Sequence, residues 1–129
     1  MVGPATTIFV SDSSVLRVPP DDSRREITIG RLTGLVALYR EAHTRALPFF
    51  PETGWRFTEC AVDDLARARR QARAEWAGSQ RRGMAAPGES RDPYNLLAFR
   101  GADPLNHEFE TLSQNLFGYV RARGSESRD

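Results

Sequence analysis

The chain has 129 residues, 40% of them apolar and 27% charged, with 18 basic residues against 17 acidic ones. That length suits one domain with a modest core, and a net charge of +1 removes any whole-chain electrostatic case for nucleic acid or membrane binding. Every basic residue is arginine, which excludes a Walker A phosphate loop, a Schiff-base enzyme and a nuclease site of the acid-acid-lysine type. A single cysteine, Cys60, excludes an internal disulfide and a cysteine-based zinc site, and makes a reducing, intracellular setting the default. No stretch approaches the ~20 apolar residues of a membrane helix, and MVGPATTIFVSDSS does not read as a signal peptide.

In chain order, TTIFV and VLRVP flank the polar SDSS, which predicts a hairpin or sheet edge over about Thr6–Val10 and Ser14–Val18, ended by Pro19 and Pro20. Asp21 or Asp22 can cap a helix over about 22–45, and Ser23 to Glu26 fits a capping box. Leu32, Leu35, Val36, Tyr39 and His43 share one face of that helix, with His43 expected as a hydrogen-bonded core histidine. Gly30 and Gly34 weaken it, which suggests a closely packed backbone beside them. The prolines of ALPFFPETGW rule out a helix interior there. This aromatic loop either covers the domain's own core or docks on another domain, and Phe49, Phe50 and Trp55 are the candidate partner surface.

A helix over about 59–79 follows, with Ala61, Leu65, Ala68, Ala72 and Trp76 on its inner face. Its other face carries Arg67, Arg69, Arg70 and Arg73, with Arg81 and Arg82 beyond. Arg67, Arg70 and Arg73 are candidate phosphate contacts, against the plainer reading of a solvated face. SQRRGMAAPGES reads as a linker. Asp92-Pro93 and Asp103-Pro104 each combine an N-cap acceptor with a proline at the first helical position, predicting helices over about 93–100 and 104–122 with Gly101 between. Leu105, Phe109, Leu112, Leu116 and Val120 line the second, and GSESRD is expected to fray.

The fold class expected is α+β, mainly α, in one domain: a strand region to residue 20, a helical region over 21–123 and a frayed tail over 124–129. No catalytic, cofactor-binding or metal-binding set emerges. Asp103 and His107 lie beside Glu108 and Glu110, but the second histidine of a zinc-protease motif is missing. Ser90 lacks a nucleophile elbow, and Cys60 has no histidine near it in sequence.

LVALYREAHTRALPFFP, an Ala/Arg helix ending at Trp76, and GESRDPYNLLAFRGADPLNHEFETLSQNLFG follow one another in an order and spacing that resemble the C-terminal segment of the gamma subunit of exodeoxyribonuclease V, the RecC family. The resemblance covers roughly residues 15–118 and is most specific at LPFFP (47–51) and from Gly88 to Gly118. It departs from the family pattern at Ala46 and at Tyr119-Val120. It implies a bacterial, cytoplasmic, non-catalytic module of the RecBCD helicase-nuclease complex, which acts in DNA repair and recombination. The module would be the end of a degenerate restriction-endonuclease-like domain, meeting RecB-like and RecD-like subunits and DNA, with no cofactor. The alternative is a free-standing helical protein that self-associates as a homodimer and has no enzymatic activity.

Overall fold

The computed structural model describes residues 7–10, 14–18, 25–81, 84–123 and 125–128. Mainly helical with short antiparallel strands, the chain divides into two compact units, one of residues 1–45 with 120–129 and one of 46–119.

In the first unit, β1 (Thr7–Val10) and β2 (Ser14–Val18) pair antiparallel, with Ile8 opposite Arg17 and Phe9 opposite Leu16. Thr6 and the prolines at 19 and 20 lie outside the described residues. A third strand, β5 (Ser125–Arg128), completes the sheet in the order β1-β2-β5. It corrects the expectation of a frayed tail, because the second edge of β2 offers backbone donors and acceptors that the polar SESR segment can pair without apolar side chains. Helix α1 spans Arg25–Ala42, and its proposed caps at Asp21, Asp22 and Ser23 lie outside the described residues. No residue of α1 is buried. The face of Leu32, Leu35, Val36, Tyr39 and His43 is therefore exposed, and His43 is not a core histidine; its ring meets Tyr39 edge-on at 4.6 Å. Nothing stands within 4 Å of a Cβ built on Gly30 or Gly34, so close packing does not explain these glycines. Each weakens the helix by about 1 kcal/mol relative to alanine.

The second unit holds the core. Its first helix, α2 (Pro51–Thr58), occupies sequence expected to be irregular. Pro51 sits in the first turn, where its missing N–H costs nothing, so the proline that ends the LPFF segment also starts a helix. Helix α3 (Leu65–Ala77) begins later than expected because Asp64 adopts an extended conformation and its carboxylate accepts the Arg67 amide at 2.9 Å. The expected linker is a hairpin, β3 (Gly78–Arg81) with β4 (Met84–Pro87); Arg82 lies outside the described residues. A 3-10 turn over Glu89–Arg91 leads to α4 (Pro93–Ala98), where Asp92 accepts the Tyr94 amide at 2.8 Å.

Asp103-Pro104 does not open a helix. Asp103 accepts the Leu105 amide at 3.0 Å in a local turn, Leu105 is drawn into the core, and α5 (His107–Ser113) starts at Asn106, whose side chain accepts the Phe109 amide at 3.1 Å. The expected single helix to residue 122 is α5, a π-helical stretch Gln114–Gly118, and α6 (Tyr119–Arg123).

The core gathers Phe50, Phe57, Ala61, Ala68, Ala72, Leu105 and Phe109, with Cys60, Trp76 and Phe99 against them. Alanines on α3 let α2 approach closely. A Cβ on Gly54 would stand 2.9 Å from Ser113 Oγ and 3.1 Å from the Phe117 ring, so α2 packs on α5 and the π stretch only through a glycine.

Candidate functional site

Three features of the second unit could act on another molecule. The first is the aromatic group from the LPFF segment. Phe50 is only 2% exposed; its ring centroid lies 4.4 Å from Trp76, 5.3 Å from Phe99 and 6.0 Å from Phe109. It is therefore a core residue and leaves the candidate partner surface. Phe50, extended at the N-cap of α2, is turned inward, while its neighbour Phe49 stays exposed. Phe49 stacks on Phe117 at 5.5 Å, and the half-buried Trp55 meets Phe117 edge-on at 5.7 Å. Phe117, not singled out in sequence, thus unites the two remaining candidates. More apolar area is exposed on α4, where Tyr94, at 83%, and Leu97, at 73%, stand one turn apart. That i, i+3 pair was readable in RDPYNLLAF.

The second feature is the arginine face of α3. Arg67 and Arg70, one turn apart, are exposed and make no ion pair among the described residues. Arg73 does: its guanidinium donates to Asp103 at 2.6 Å. That bond holds the Asp103 carboxyl below the usual carboxylate range, with the Leu105 amide acting in the same direction and partial burial opposing it. Arg69 grips Glu110 through two nitrogens, at 2.6 and 3.1 Å, and this hydrogen-bonded pairing raises its pKa further. Two α3 arginines are thus committed to α5 and the turn before it. Of the candidate phosphate contacts, Arg67 and Arg70 remain available.

Between α3 and α5 lies the third feature, an open depression of about 340 Å³ with Phe57, Leu105 and Phe109 among its apolar lining and Arg69, Arg73 and His107 among its polar lining. Both guanidinium groups are partly neutralised there by Glu110 and Asp103. Among the described residues no group of three or more His, Cys, Asp or Glu side chains is arranged to hold a metal, and no helix is long and apolar enough to cross a membrane.

One further polar contact defines the scaffold. Phe50 gives α2 no side-chain cap. Instead the Glu89 carboxylate accepts the amide of Thr53 at 2.8 Å and of Glu52 at 3.3 Å, capping α2 from a distant part of the chain. Asn95 donates to the Glu89 carbonyl at 2.8 Å and fixes that turn. Sequence alone offered no signal for this contact, because the capping carboxylate is far from the helix it serves.

Comparison with known proteins gave no matching family model, no matching curated protein and no matching solved structure.

Proposed function

We propose that the chain is a non-catalytic module of RecC type, the C-terminal part of an exodeoxyribonuclease V gamma subunit and of its degenerate restriction-endonuclease-like domain. In this reading it works in the bacterial cytoplasm, in double-strand break repair and recombination. It contacts RecB-like and RecD-like subunits, and its role is to hold the helicase-nuclease complex together. The observation that supports this most is the Glu89 cap. LPFFP and the block beginning GES, the two stretches most like the family, meet in one structural device: Phe50 fills the core, Pro51 starts α2, and Glu89 caps it. Residues used in this way support a scaffold reading.

Partner contact is assigned to Phe49 and to the exposed α4 residues Tyr94 and Leu97, and phosphate contact to Arg67 and Arg70. Co-expression with RecB-like and RecD-like subunits tests the reading. The expected result is co-purification of the chain, weakened by Leu97→Asp; failure of the folded chain to associate with either subunit contradicts it. DNA contact has a separate test: affinity should fall with salt, with a slope reduced by about one in Arg70→Ala. Nuclease assays with magnesium or manganese should show no cutting.

A further inference from the structure

α1, the longest helix among the described residues, has no buried residue on its apolar face. Along α1, Ile29, Leu32, Val36 and Tyr39 recur at alternating steps of three and four, and His43 continues the pattern one residue past the helix end. This is the a/d spacing of a two-helix seam. Ile29 and Val36 are each 50% exposed, Leu32 56% and Tyr39 66%. Gly30 and Gly34 fall off the seam, so they lower the helix's own propensity and contribute nothing to it. A helix with two interior glycines and several β-branched residues depends on packing for its stability, and the seam is the surface that can supply it.

The flanking charges identify the occupant. With Ile29 and Val36 at a and Leu32 and Tyr39 at d, Glu26, Thr33 and Arg40 occupy the e positions along one edge. When two copies run antiparallel, Ile29 faces Tyr39 of the second copy and Leu32 faces Val36. The e edges then meet each other, placing Glu26 beside Arg40 of the second copy twice over, about Thr33 at the centre. Neither side chain has an ion pair among the described residues. A parallel pair loses this match: Arg25 would face Arg25, and Arg40 would lie beside Leu35. We infer that α1 is a self-pairing surface, through which two copies of this chain associate as an antiparallel two-helix seam related by a two-fold axis. The inference does not rest on the RecC-type reading.

The test is sedimentation equilibrium of the whole chain from about 1 μM to about 1 mM, a range that spans weak to moderate affinities. Dimer is expected, and Val36→Asp should give monomer. Because a core substitution can also unfold the helix, the sharper variants are at the edge. Glu26→Arg or Arg40→Glu alone places like charges together at both ends of the seam and should raise the dissociation constant about tenfold. The two residues stand roughly 21 Å apart along one helix at ~1.5 Å per residue, so they cannot compensate within a chain. Each change also opposes the helix dipole, and additive penalties make the double variant the weakest dimer. Self-pairing predicts the reverse: the double variant dimerises more tightly than either single one. A chain that stays monomeric throughout the range, or a double variant weaker than both singles, overturns the proposal.

Discussion

Helices α1 and α3 both carry a row of apolar residues and several arginines, yet they end in opposite states. α3 presents alanines, and Ala68 and Ala72 are completely covered by the rest of its unit. α1 presents isoleucine, leucine, valine and tyrosine, and none of its residues is buried. Small residues let the α2 backbone come close, so α3 can be covered by a short neighbour; a broad row of large side chains needs a surface of matching length. An apolar stripe therefore shows that a face demands cover, and the side-chain sizes along it indicate what kind of cover suffices.

If the second unit closes on its own core, substitutions there should cost stability in proportion to burial. Phe50→Ala, which removes the ring among Trp76, Phe99 and Phe109, should cost about 3–5 kcal/mol in urea unfolding. A loss below about 1 kcal/mol would return Phe50 to the surface role expected from sequence. Gly54→Ala should cost about 1–3 kcal/mol, because its new methyl group meets Ser113 Oγ. That hydroxyl is itself buried without a hydrogen-bond partner among the described residues. Ser113→Ala should therefore be neutral or stabilising alone, and should lessen the Gly54→Ala penalty in a double-mutant cycle.

Removing the distant cap comes next. Glu89→Ala leaves the amides of Glu52 and Thr53 without their carboxylate and should cost about 1–2 kcal/mol, with Glu89→Gln between it and the native protein. Equal stability of all three chains in thermal melts would remove Glu89 from the scaffold. The smallest effect belongs to Arg73 and Asp103, a pair with both side chains more than half exposed, at 59% and 54%. Asp103→Asn should cost under about 1 kcal/mol and less in high salt. A carboxyl held below its ordinary value of about 3.9 stabilises the fold above that pH and loses its contribution as pH falls through the lowered value. The difference between the native chain and Asp103→Asn should accordingly shrink below about pH 4.

The two Asp-Pro pairs show how much of this was legible in sequence. Both aspartates accept the amide two residues on, at 2.8 and 3.0 Å, which the local chemistry dictates. Asp92-Pro93 then opens a helix as expected. After Asp103 the chain turns away, because Arg73 holds the carboxylate, Leu105 enters the core, and Asn106 is a competing cap. Those three influences come from tertiary contacts or from a rival local signal. The same limit separates the site residues. The inward alanines of α3 followed from helical spacing, whereas the opposite fates of Phe49 and Phe50 depended on α2 starting at Pro51. The charged face of α3 was legible as a face, but the commitment of Arg69 and Arg73 to Glu110 and Asp103 required α5 to be in place.

The contrast between a self-sufficient second unit and an α1 that awaits its partner is most directly measured by amide hydrogen exchange at two protein concentrations, one below and one above the dimer transition. Slow exchange in α2, α3 and α5 at both concentrations, with α1 protected only at the higher one, is the predicted result. Strong protection of α1 at the lower concentration, where the chain is monomeric, would contradict it.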